Sequence, residues 1–300
     1  MHDFEDKVAV ITGAGSGFGR EFARIGAALG MKLVLADIQD DALQSVADEL
    51  RGAGADVLTQ RVDVSDGAQI QALANATMDR FGAVHLVFNN AGVASGGLVW
   101  EQSERDWQWT LGVNLWGVIH GVRVFTPLML AAAKADPAYR AHIVNTASMA
   151  GLLNPPLSGA YNASKHAVVS LTETLHHDLA LVTEQVRCAV LCPYFVPTGI
   201  ADSERNRPAG MADAGGPAHS QLVGRSMMEK AVQSGKVSAA QVAATTFDAI
   251  RNDAFYVFSH PHALDGVRER AEHIVALQDP ADPYAARPDF RAQLQTALRA

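Results

Sequence analysis

Seven short apolar runs alternate along the chain with stretches whose apolar positions recur at helical spacing. Residues 7–11, 32–37, 57–62, 86–89, 141–146, 186–191 and 255–259 read as strands. They are nearly continuous in apolar residues, as strands covered on both faces are. Helices are expected from the glycine-rich segment to residue 29, and over 40–51, 65–81, about 113–134, 159–183 and 239–252. Ser65 is placed to cap the third of these. In the 159–183 helix Ala167, Leu171, Leu175 and Leu179 form an apolar stripe at four-residue steps. This alternation predicts an α/β fold, a doubly wound parallel sheet in one domain over residues 1–278.

Two segments break the pattern. Residues 198–236 are rich in Gly, Ala, Met and Ser, and a long irregular segment after the sixth strand reads as a mobile lid over a ligand. Residues 279–300 form a C-terminal extension. Its 279–289 portion, with Pro280, Pro283 and Pro288, is expected to be extended and to wrap the surface or a neighbouring subunit.

Composition narrows the partners. The formal net charge is −8, with 48% hydrophobic and 19% charged residues in 300. Such a chain is globular, and it lacks the basic footprint of a nucleic-acid or anionic-membrane binder. Cys188 and Cys192 lie on one predicted strand, roughly 13 Å apart, too far to pair. Two buried thiols suit a reducing compartment. The charged N-terminus has no signal-peptide core, and the longest run free of Asp, Glu, Lys and Arg, 141–164, holds two prolines and three asparagines. A cytoplasmic protein without a membrane partner is expected.

Between the first strand and helix stands Thr12-Gly-Ala-Gly-Ser-Gly-Phe-Gly19. Gly13, Gly17 and Gly19 with Ser16 and Phe18 suit a backbone that turns tightly against a pyrophosphate at a helix N-terminus; an ordinary glycine-rich turn has the same composition. Asp37, at the end of the second strand, can accept both adenosine ribose hydroxyls and repel a 2′-phosphate, or can serve as a strand-end turn residue. With no Arg or Lys at 14–16 or at 38, NAD(H) is favoured over NADP(H).

Tyr161 and Lys165, four residues apart, share one helix face. A free tyrosine titrates near 10, and a neighbouring ammonium lowers that value toward a usable base. Ser148 follows the fifth strand, and Asn114 lies in the long central helix. Through Thr12–Gly19, Asp63-Val64, Asn89-Asn-Ala-Gly92, Asn114, Ser148 and Tyr161-Asn-Ala-Ser-Lys165, the chain resembles the short-chain dehydrogenase/reductase family over roughly residues 5–260. The resemblance implies a seven-stranded Rossmann-type sheet, a homodimer or homotetramer, and no metal. It also implies roles: Tyr161 as general acid/base, Ser148 bonded to the reacting oxygen, Lys165 on the nicotinamide ribose, and Asn114 holding a relay water. Ile38, Asp63 and Val64 would meet the adenosine; Asn90, Ala91 and Gly92 would line that side. Pro193, Val196 and Thr198 would flank the nicotinamide.

One position departs from that family pattern. Tyr194 stands where glycine is usual after Pro193, which reshapes the substrate pocket. Leu153, Leu157, Tyr194 and Phe195 make the expected pocket apolar and aromatic, so a neutral, bulky or aromatic secondary alcohol or ketone is expected. Arg205 and Arg207 leave room for an acidic substituent farther out. A looser resemblance, in residues 146–151, 206–208 and 256–260, is to bacterial benzylic-alcohol dehydrogenases acting on aryl ethers. The alternatives are a β-ketoacyl thioester reductase, disfavoured by Asp37 and the acidic charge, and a non-catalytic cofactor sensor, disfavoured by the presence of Tyr161 and Lys165.

Overall fold

The computed structural model describes residues 1–212 and 215–299. In chain order its elements are β1 (Val8–Thr12), α1 (Gly17–Ala28), β2 (Lys32–Asp37), α2 (Asp40–Gly52), β3 (Val57–Arg61), α3 (Gly67–Phe81) and β4 (Leu86–Asn89). There follow α4 (Glu104–Leu111), α5 (Gly117–Ala135), β5 (Ala141–Thr146), α6 (Gly159–Val182), β6 (Val186–Cys192) and α7 (His219–Gln233). The chain continues with α8 (Ala239–Arg251), β7 (Tyr256–Phe258), α9 (Leu264–Val275) and α10 (Pro288–Arg299). The strands form one parallel sheet in the order β3-β2-β1-β4-β5-β6-β7. The chain leaves β1 toward β2 on one side and returns to β4 on the other, which opens a crevice at the carboxyl edge.

The core lies on both faces of the sheet. On one, Phe22 stacks on Phe88 at 4.2 Å, and Phe247 of α8 closes over Phe88 at 5.7 Å. On the other, Phe125 and Met129 of α5 are buried against Val87 and Ile143. The continuous Glu104–Ala135 helix contains an 18-residue stretch of mean hydropathy 1.4 and is long and apolar enough to cross a membrane. One face of it packs against α3, α6, β4 and β5, and a third of that stretch is buried.

Several local expectations are corrected. Asp66, not Ser65, caps α3 by accepting from the Ala68 N–H at 2.9 Å; the Ser65 hydroxyl is already bonded to Asp63 at 2.7 Å. The central helix starts at Glu104, capped by Ser103 and Asp106, and passes through a π turn at Gly112–Trp116. In α6 the buried face carries Lys165, Val168, Thr172, Leu175 and Leu179, whereas Ala167 and Leu171 are only partly covered. Repeated four-residue steps drift off one face of a 3.6-residue helix, and burial follows the mixed three- and four-residue step.

The segment expected to be irregular is substantially helical. It holds 3-10 turns at Gly199–Asn206 and Ala209–Met211 and then the 15-residue α7. Gln221 starts α7 by accepting from the Ala218 N–H at 2.7 Å. Residues 213 and 214 of the expected lid, and residue 300 of the extension, lie outside the described residues. Within 279–289, residues 283–286 turn and Pro288 opens α10, a helix position where its missing N–H costs nothing.

Candidate active site

The glycine loop is held from below by a threonine. Thr12 Oγ1 donates to the Phe88 carbonyl at 3.2 Å and accepts from the N–H groups of Asn90 (2.9 Å) and Ala91 (3.1 Å). Asn90 returns a bond from Nδ2 to the Thr12 carbonyl at 2.9 Å. Gly13 (φ 66°) and Gly17 (φ 52°) adopt the left-handed conformation, where other residues are strained. A Cβ at Gly19 would collide with the Gly13 carbonyl oxygen, so this glycine lets α1 press onto the loop. The N-terminus of α1 and the loop N–H groups thereby form a cradle for a diphosphate.

Asp37 joins that loop to the neighbouring strand. Its Oδ2 accepts from the Gly15 N–H at 2.8 Å and its Oδ1 from the Gln39 N–H at 2.9 Å. The carboxylate faces the cleft beside Ile38, Asp63 and Val64. These features fit an adenine dinucleotide: a cradle open only because it lacks side chains, and a fixed carboxylate for ribose hydroxyls.

The second cluster forms at the ends of β5 and β6. The Ser148 hydroxyl accepts from the Ala150 N–H at 3.1 Å and donates to the Pro193 carbonyl at 3.4 Å. Tyr161, in the first turn of α6, lines the cleft together with Ser148. One turn on, Lys165 is buried and donates to the Thr146 carbonyl at 2.9 Å, its ammonium 5.7 Å from the Tyr161 ring centre. Burial lowers Lys165 to about 8. Burial also raises the Tyr161 phenol, and the Ser148 side chain offsets part of that rise.

Asn114 sits in the π turn with its side chain fully engaged. It accepts from the Val93 N–H at 2.8 Å and donates to the Val93 carbonyl at 2.9 Å and to Ser164 Oγ at 3.1 Å. The side chain positions the segment after β4. Gly92 marks where the groups converge: a Cβ there would lie 3.4 Å from Asn114 Oδ1 and 3.5 Å from Lys165 Nζ.

One cleft of about 1250 Å³ connects the two clusters. Of the expected site residues only Gly19 and Asn114 do not line it, the first packed under the loop and the second behind Lys165. Thr198 faces Gly17, 3.6 Å from where a Cβ would sit, so the start of the 198–236 segment packs on the glycine loop. At the other end Tyr194 packs on Phe195 at 4.4 Å and meets His260 edge-on at 5.8 Å. Leu153 and Leu157 complete this wall; Leu157 holds φ 60° while its carbonyl accepts from the Gly97 N–H at 3.0 Å.

The arginines expected to serve an acidic substituent are otherwise engaged. Arg207 is buried, bonded to Asp106 at 2.6 Å and stacked on Trp109 at 5.0 Å. Arg205 lines the cleft, but its guanidinium donates to the carbonyls of Gly199 and Asp202 at 2.8 and 2.6 Å. Sequence reasoning missed the C-terminal contribution: Arg270 of α9 and Tyr284, Arg287 and Phe290 beyond it also line the cleft. The only signal was two aromatics flanking an arginine in a proline-rich tail.

The parallel sheet with its switch point, glycine cradle and strand-end carboxylate is that of the dinucleotide-binding α/β class. The signature of the short chain dehydrogenase family matches residues 7–209, and the chain belongs to that family. A CLA biosynthesis dehydrogenase/reductase of Lactiplantibacillus plantarum is 34% identical over 278 residues, 92% of this chain and 95% of that one. A C alpha-dehydrogenase of Sphingobium sp. strain SYK-6 is 30% identical over 301 residues, covering 100% of this chain and 94% of the relative. Among solved structures, a short chain dehydrogenase/reductase from Burkholderia phymatum in complex with NAD is 57% identical, with a TM-score of 0.92. That match covers 94% of this chain and 99% of the other.

Proposed function

We propose that this oxidoreductase interconverts a secondary alcohol and its ketone with NAD(H), the reacting end of the substrate being uncharged and bulky or aromatic. The observation that carries this reading is the continuity of one cleft from Asp37, past Ser148 and Tyr161, to the Leu153–Leu157–Tyr194–Phe195 wall. The NAD complex of the 57% identical structure supports the cofactor, and Asp37 supports NAD(H) over its 2′-phosphorylated form.

NAD bound in this cleft supplies a hydride acceptor for the carbinol carbon. In oxidation Tyr161, deprotonated, takes the hydroxyl proton as the ketone forms; in reduction its phenol returns that proton to the carbonyl oxygen. Ser148, turning its one hydroxyl proton away from the Pro193 carbonyl, donates to the same oxygen and orients it toward Tyr161. Lys165, anchored to Thr146, places a positive charge behind the phenol, which favours phenolate once the site closes. Asn114 fixes the backbone around Val93 against this group, a positioning role. Apolar walls exclude water from the reacting atoms. We further propose a homo-oligomer, supported by the exposed aromatic surface of Trp100 and Trp116.

The test is a nicotinamide-absorbance screen of aryl and alkyl secondary alcohols, ketones and β-ketoacyl thioesters with NAD(H) and NADP(H). Turnover of aryl ketones with NADH is expected. Thioester reduction with NADPH as the fastest reaction would overturn the reading.

A further inference from the structure

The wall nearest Tyr161 is uncharged apart from Lys165, but the outer end of the cleft is not. There α9 lies directly above the substrate wall, with Gly266 3.5 Å from Leu153 when its Cβ is built. Beyond it, the C-terminal extension brings Tyr284, Arg287 and Phe290 into the same cleft. Arg287 lies 5.9 Å from the Tyr284 ring centre and 5.3 Å from that of Phe290, and the two rings meet edge-on at 5.2 Å. This aromatic seat holds the guanidinium in place. The extension is itself docked on α7, where His219 Nε2 meets the Ala297 carbonyl at 2.7 Å.

Charge bookkeeping at this end is uneven. Arg270, Arg287, Glu269 and Asp282 all line it. Asp282 is neutralised by Arg291 at 2.8 Å. Among the described residues, neither Arg270 nor Arg287 has a carboxylate in ion-pair range. Two guanidiniums thus face one unpaired acid, Glu269. A seated guanidinium without an acidic partner presents the planar fork that takes a carboxylate in two parallel hydrogen bonds.

We propose that Arg287, assisted by Arg270, is an anion subsite, and that the natural substrate is a hydroxy or keto carboxylate whose acid lies far from the reacting carbon. The proposal rests on the alcohol–ketone reading above and confines that reading's uncharged requirement to the reacting end. The C-terminal extension then sets specificity: it completes the chamber and supplies its outermost contact.

The experiment uses the full-length protein and a matched substrate pair, an aryl ketone ending in a distal carboxylate and its methyl ester. Wild type is expected to favour the acid in kcat/KM by about 10-fold or more, the scale of a hydrogen bond to a charged group. Arg287→Gln, and more fully Arg287→Gln with Arg270→Gln, should erase that preference by raising KM for the acid, leaving the ester within two-fold. Glu269→Gln should strengthen it. A second readout is the thermal shift produced by an arylalkanoate in the presence of NAD, which should shrink in the arginine variants and in high salt. Equal use of acid and ester by wild type, or equal losses for both in the variants, would overturn the anion subsite. Turnover of neither compound would count against the alcohol–ketone reading, and the carboxylate-dependent thermal shift would then decide the subsite alone.

Discussion

Lys165 spends its hydrogen bond on the Thr146 carbonyl at 2.9 Å, with its ammonium 5.7 Å from the centre of the Tyr161 ring. A buried cation held by one carbonyl is poorly compensated, and burial brings its pKa down from 10.5 to about 8. Between pH 8 and 10.5 the unfolded chain holds a proton that the folded chain has released, so stability from this group rises with pH across that window. Below pH 8 both states are protonated and the full cost is present, on the order of 3 kcal/mol. Urea melts of cofactor-free wild type and Lys165→Met at pH 7.5 and 10 check this. The wild type should gain several times more than the variant, and parallel curves would show that Lys165 does not titrate in the window.

Tyr161→Phe removes the phenol hydroxyl from the cleft beside Ser148 and leaves the glycine cradle untouched. Turnover should fall by about 10²–10⁴-fold, the usual contribution of a positioned acid/base. NADH affinity, followed by fluorescence titration, should stay within a few-fold. A variant retaining a tenth of wild-type activity would exclude the phenol as the proton carrier.

Much of this site was legible because its residues are tied to strand ends. The β1–Gly13 turn, Asp37 after β2 and Ser148 after β5 fall where short apolar runs stop, and such runs read directly from hydrophobicity. Tyr161 and Lys165 were legible as one helix turn. The pairing of groups across distant segments was not. Arg207 reads as an exposed arginine until the fold brings Asp106 and Trp109 to it, and the tail's Arg287, exposed in sequence and structure alike, gains meaning only when the extension folds back onto α7 and sets it at the cleft. Direction was equally hidden: the spacing of Tyr161 and Lys165 says they are neighbours, not that the ammonium turns to Thr146.

Asp37 has two tasks, bracing Gly15 and facing the cofactor cleft. Asp37→Ser keeps a hydrogen-bond acceptor for the loop but removes the charge that repels a 2′-phosphate. NAD(H) affinity should drop by roughly 10-fold, in line with loss of charge-assisted hydrogen bonds, while the preference over NADP(H) narrows. Isothermal titration with both cofactors measures this. An unchanged preference would mean that discrimination lies elsewhere in the cleft.

Asp106 holds the 198–236 segment at two points, beside the Ser220–Glu101 bond at 2.5 Å. Asp106 of α4 accepts from Arg207 at 2.6 Å and from Gln221 at the start of α7 at 2.8 Å, so it ties both halves of the segment to the body. Both members of the ion pair are buried, at 2% exposure for Asp106 and 10% for Arg207. Removing one partner of such a pair leaves an uncompensated charge, which costs about 3–5 kcal/mol. Asp106→Asn should therefore lower stability by that order and loosen the segment before the whole protein unfolds. Hydrogen exchange should accelerate first over residues 199–212 and 219–233, and substrate KM should rise more than NAD Kd, since Gly224, Met227 and Met228 of this segment line the cleft beside Leu157. Adding Arg207→Met removes the stranded charge and should recover much of the stability, with a coupling energy measurable in the double-mutant cycle. The substrate KM should stay high, because Gln221 still lacks its charged acceptor. If exchange in α7 is no faster in Asp106→Asn than in wild type, the segment is held by its other contacts, and Asp106 is not its fastening.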